Sequence, residues 1–77
     1  MKLLSEWPRQ QIAEIVEIKA DESLTSRLLD LGIFAGVRIE VVTAMPFSGP
    51  LVVRTHGATL ALRRGEAACI KVQACKT

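Results

Sequence analysis

Seventy-seven residues make one small domain, which buries only about 60% of its unfolded surface. Hydrophobic residues make up 49% of the chain, mostly Leu, Ile, Val and Ala, which suits a β-rich aliphatic core and leaves no room for a large enclosed catalytic pocket. A net charge of +2 does not demand a nucleic acid partner, and no apolar run approaches the roughly 20 residues of a membrane span.

In chain order, the opening MKLLSEW is too short for a signal peptide, which sets the expectation of a cytoplasmic protein. Lys2 to Gln11 reads as a leading arm: Pro8 and the polar run Arg9, Gln10, Gln11 argue against a helix, and Trp7 is expected to lid one end of the core. Ile12 to Lys19 reads as the first strand. Ala13 and Ile15 share one of its faces and Val16 and Ile18 the other, so a bulge or bend is expected near Ile15 and Val16. Asp21 or Ser23 can cap a helix running to about Leu31, with Leu24, Leu28 and Leu31 inward, Leu29 beside them, and Arg27 and Asp30 outward. Gly32 stands where a helix end needs a residue comfortable at positive φ, and Gly36 allows a second sharp turn.

From Val37 to Ala44 the pattern alternates as a strand, with Val37, Ile39, Val41 and Thr43 on one face. Two prolines and Gly49 stiffen the following loop, Met45 to Pro50. Met45, Pro46 and Phe47 there form an apolar knob suited to docking, the plainer reading being that Phe47 tucks under the barrel rim. The clearest hairpin turns at His56-Gly57 and pairs Thr55 with Ala58, Val53 with Leu60 and Leu51 with Leu62. That register puts Leu51, Val53, Leu60 and Leu62 on one face, and a slip by one residue would expose the whole set. A short turn or 3₁₀ step over Arg64 to Ala68 leads to a last strand, Cys69 to Cys75, with Ile70, Val72 and Ala74 inward. An extended spacing of about 20 Å keeps the two cysteines apart as free thiols. The expected fold is mainly β: one domain over residues 1–77, a small SH3-like five-stranded barrel with one short helix between its first two strands.

Catalytic signatures are missing from this pattern. There is no phosphate-binding glycine loop, and the single histidine, His56, sits on a hairpin tip without an orienting carboxylate beside it in sequence. The acidic residues are scattered, with no pair spaced for acid and base work, so the chain is expected not to be an enzyme. No cofactor is expected either. His56, Cys69 and Cys75 lack metal-site spacing, so His56 could hold Zn²⁺ or Fe²⁺ only in a site shared between two chains. Arg54, Arg63, Arg64 and Lys71 come without the stacking aromatics of a nucleic-acid-binding barrel, so nucleic acid is not an expected partner.

The run Arg27-Leu28-Leu29-Asp30-Leu31-Gly32-Ile33, then Gly36, Pro46, Gly49-Pro50, Leu62-Arg63-Arg64 with Glu66-Ala67, and Ile70 with Val72, resembles the FeoA family in order and spacing over almost the whole chain. Leu3 to Pro8 resembles the family's opening. Two positions depart from the pattern: Arg9 stands where a glycine is usual and Ala35 where a proline is. The resemblance implies an SH3-like barrel without catalysis, acting in the cytosol as an accessory to ferrous iron uptake. Its implied partner is the cytosolic GTP-binding region of the transporter FeoB, through which alone it would reach a membrane, and whose transport or GTPase activity it would modulate. Candidate docking residues are Arg27 on the helix and Met45, Pro46 and Phe47 on the loop; a homo-oligomer is compatible with the same reading. The alternatives are a trans-acting SH3-like regulatory module like that of DtxR-type metal-dependent repressors, or a small nucleic-acid-binding barrel.

Overall fold

Alternation of apolar and polar residues builds most of the structure, a computed structural model that describes residues 1–45 and 49–75. The elements are β1 (Lys2–Leu3), a 3₁₀ turn (Leu4–Glu6), β2 (Ile12–Ile18), α1 (Glu22–Asp30), β3 (Arg38–Ala44), β4 (Leu51–Thr55), β5 (Ala58–Leu62), α2 (Arg64–Ala67) and β6 (Ile70–Ala74). The strands form one antiparallel sheet in the order β1-β6-β2-β3-β4-β5. Its inward residues make a single core: Ala13 and Ile15, Val37, Ile39 and Val41, Leu51 and Val53, Leu62, and Ile70 with Val72. Leu4, Leu28, Ile33 and Ala67 come from the turns and helices and stop the ends of this roll. Trp7 packs against the same core, as expected of a lid, and its indole N–H donates to the carbonyl of Gln11 at 2.9 Å.

The β4–β5 hairpin has the register anticipated from its turn, from Thr55 opposite Ala58 to Leu51 opposite Leu62. His56 at φ 53° and Gly57 at φ 76° supply the two left-handed residues that a tight turn of this twist requires. The irregularity in β2 falls between Ile15 and Glu17, where the mixed facing of the side chains placed it. A second register shift, between Val41 and Thr43, has no such warning in the pattern.

Four expectations need correction. The sheet has six strands, because Lys2 and Leu3 of the leading arm pair with Val72 and Lys71. The turn after β5 is a four-residue α-helix, α2, so there are two helices among the described residues. It forms because the Glu66 carboxylate reaches back to the backbone N–H of Arg63 and closes its first turn. The leucine stripe of α1 is also narrower than its spacing implied. Leu28 is fully buried and Leu24 packs on the core, but Leu29 is 56% and Leu31 40% exposed, since the end of the roll admits only one ridge of the helix. Ala74 is likewise exposed, and Cys69 and Cys75 flank β6 as free thiols.

Candidate docking site

The helix α1 is fixed at both ends by local bonds. Asp21, one of the two caps the sequence offered, accepts from the backbone N–H of Leu24 at 2.8 Å, and Ser23 lies inside the helix. At the other end Gly32, at φ 83°, donates to the carbonyl of Leu29 at 2.9 Å, and Ile33 donates to that of Leu28 at 2.8 Å. This pair of bonds is a Schellman stop, and the Ile33 side chain buries beside Leu28, as such a stop favours. Turning Ile33 inward leaves Leu29, Leu31 and Phe34 outside; Phe34 is 43% exposed. The three exposed side chains form an apolar ledge around one rigid turn, with Leu29 and Leu31 on different flanks of the helix end; a rigid turn loses little entropy when covered.

The hairpin tip braces this ledge from the far side. His56 Nε2 lies 3.2 Å from the carbonyl oxygen of Gly32; since the carbonyl can only accept, Nε2 carries the proton of this bond. The approach is close: a Cβ added to Gly32 would lie 3.1 Å from His56 Cδ2.

A second group gathers at α2. Glu66, buried, accepts from Arg63 N–H with Oε1 at 2.9 Å and pairs through Oε2 with Arg27 Nη1 at 2.8 Å. Arg27 therefore does not simply face solvent: it spans from α1 to α2, although 59% of its side chain remains exposed. Arg64 Nη2 donates to the carbonyl of Met45 at 3.5 Å, and the Met45 N–H donates to Pro50 at 3.0 Å. Met45 is 46% exposed. Two of the sequence candidates, Arg27 and Met45, are thus each tied to a side chain of α2, Arg27 to Glu66 and Met45 to Arg64. Pro46 and Phe47 lie outside the described residues.

Of the turn glycines, Gly32, Gly36 and Gly57 all adopt positive φ. Two grooves, of about 210 and 140 Å³, fall below the range of about 300–1,000 Å³ typical of small-molecule sites. The smaller lies beside His56 and is lined by Arg38, Arg54 and Glu40, whose charges partly cancel through an Arg54–Glu40 pair at 3.7 Å. Among the described residues no three His, Cys, Asp or Glu side chains converge, so within one chain His56 has no co-ligands placed for a metal. The described residues contain no helix long and apolar enough to cross a membrane.

The sequence reading missed Leu29, Leu31 and Phe34 as surface. For Phe34 a signal was present: a Gly32-Ile33 stop that turns Ile33 onto Leu28 sends the next residue outward.

An antiparallel roll with shallow grooves and two short helices defines a small SH3-like module. The chain belongs to the FeoA family, whose domain model matches residues 2–74. No curated protein sequence matches it. Among solved structures, the FeoA protein from Chlorobium tepidum is 34% identical with a TM-score of 0.88, over 99% of this chain and 71% of that one. The FeoA from Stenotrophomonas maltophilia, described as a prokaryotic SH3 domain protein and complexed with zinc, is 30% identical with a TM-score of 0.78, over 91% and 87%. A manganese-dependent transcriptional repressor shares the fold over 41% of its own length, at 23% identity and a TM-score of 0.88.

Proposed function

We propose that this chain is a cytoplasmic accessory protein of ferrous iron uptake that docks on the cytosolic GTP-binding region of FeoB and biases its conformational state. The observation that carries the reading is the apolar ledge Leu29, Leu31 and Phe34, solvent-exposed yet fixed by the Schellman stop and by His56. Exposed, rigid apolar groups are what an interface core needs, and Arg27, four residues before Leu31 and 59% exposed, sets a charge beside them. Support for the iron context comes from the family and from relatives such as the Stenotrophomonas maltophilia protein, itself offered as a candidate activating factor of bacterial ferrous iron transport. A ligand of this kind acts only by preferring one state of its partner, so docking must respond to the nucleotide bound there. Should zinc bind, as in that relative, the site is one shared between chains through His56.

Titrating the purified cytosolic region of FeoB with the wild-type chain, with and without a GTP analogue, tests the proposal. A saturable, nucleotide-dependent signal that Leu29→Ser with Phe34→Ser abolishes in a folded variant supports it. No binding in either nucleotide state defeats it.

A further inference from the structure

The two edges of the sheet are protected unequally. β1 is only two residues long, carries Lys2 and runs straight into the 3₁₀ turn. Short length and a lysine are the usual defences of an edge strand. β5, at the other edge, has five residues, Ala58-Thr59-Leu60-Ala61-Leu62, with no charge, proline or glycine among them. Ala58, Thr59 and Ala61 are exposed, and Leu60 is half-buried.

The turn determines which backbone groups of this edge are free. In a hairpin closed by a two-residue turn the flanking residues, Thr55 and Ala58, exchange hydrogen bonds, and bonded pairs then alternate along the ladder. Ala58, Leu60 and Leu62 therefore point their N–H and C=O groups at β4. Those of Thr59 and Ala61 point away from it, and among the described residues no backbone bond engages them.

We propose that the β5 edge is a self-association surface, pairing antiparallel with β5 of a second copy of this chain about a two-fold axis through Leu60. The register follows from the strand itself. Only residues with outward backbone groups can form bonded pairs, and centring on Leu60 is the choice that overlaps all five residues. Thr59 then stands opposite Ala61 of the partner subunit, and Ala61 opposite the partner's Thr59. Each pair exchanges two N–H to carbonyl bonds, so the four orphan groups on each chain are all satisfied. Leu60 meets the partner's Leu60 in the close, non-bonded position and covers its exposed part. No charge opposes the contact. The occupant is a second copy because this register is self-complementary, as a two-fold interface must be. The contact is far smaller than the roughly 1,000 Å² of a stable interface, so the dimer is weak and concentration-dependent. It uses neither the ledge nor α2, and so stands independently of the docking reading.

Sedimentation of the full chain from about 10 μM to about 1 mM, with amide exchange by NMR at each end of that range, tests the proposal. The expected result is a rise in mass toward the dimer, with protection of Thr59 and Ala61 amides increasing several-fold while that of Leu60, already bonded to β4, changes little. Ala61→Pro removes one outward donor from each chain and is expected to abolish the rise. Should that variant fail to fold, Thr59→Lys with Ala61→Lys places like charges opposite each other in both pairs, at exposed positions, with the same expected loss. A chain that stays monomeric throughout overturns the proposal. So does a dimer that leaves Thr59 and Ala61 unprotected, and so does association that survives these substitutions. Protection at Thr59 and Ala61 appearing only when another protein is added also overturns it, and assigns the edge to a foreign strand.

Discussion

Replacing Glu66 separates the two tasks its carboxylate performs. One oxygen closes the first turn of α2 through Arg63 N–H, and the other pairs with Arg27. A hydrogen bond to a charged acceptor contributes about 1.5–3 kcal/mol, and losing it also leaves the Arg63 donor without its partner. The ion pair is worth less, about 0–1 kcal/mol, because most of the Arg27 side chain is in water. Glu66→Ala loses both and is expected to cost about 2–3 kcal/mol. Glu66→Gln keeps an amide oxygen for the cap and gives up only the pairing charge, at about 0.5–1 kcal/mol. For a domain of this size each kcal/mol moves the melting temperature by about 4–8 °C. The alanine variant should therefore melt more than about 8 °C lower, and the glutamine variant no more than about 8 °C lower. Urea melts followed by circular dichroism give the free energies directly, and adding Arg27→Met should cost almost nothing in the Glu66→Ala background. Equal losses in the alanine and glutamine variants would refute the reasoning, because the ion pair and not the cap would then carry the effect.

Further expectations concern the core and the turns. Leu28→Ala should cost about 2–5 kcal/mol by urea denaturation and Leu29→Ala less than about 0.5, a contrast that vanishes if the helix is rotated from its described position. Gly32→Ala combines positive φ with a close approach to His56, so a loss of about 1–3 kcal/mol is expected. With His56→Ala added, the combined loss should fall short of the sum of the two single losses, since the crowding is relieved. Thr55→Val removes the hydroxyl that donates to the Arg38 carbonyl at 2.9 Å in a buried setting, and about 1–2 kcal/mol should be lost in the same assay.

Local chemistry explains which parts were legible in the sequence. The β4–β5 hairpin was readable to the residue because its turn, its alternation and its register each impose the same pairing. The α1 cap at Asp21 and the stop at Gly32 were readable for the same reason: both depend on neighbours within a few residues. β1 was not, because two residues carry no period and their strand exists only through a distant partner, β6. Nor was the role of Arg27, whose partner Glu66 arrives from α2 by tertiary packing. The exposure of Leu29 and Leu31 turned on how wide an opening the sheet leaves for the helix, which helical periodicity does not encode. Of the docking residues named from the sequence, Arg27 and Met45 lie on the described surface, tied to α2, and Pro46 and Phe47 lie outside the described residues; the ledge formed with Phe34 emerged only once the helix was seated.

The bond between His56 and Gly32 makes the hairpin turn a strut rather than a loose finger. Two segments remote in sequence, the end of α1 and the tip between β4 and β5, should therefore open together in amide exchange. Pressure applied to Leu31 or Phe34 would be felt at the far end of the hairpin, and cutting the strut with His56→Ala should let each segment fluctuate alone.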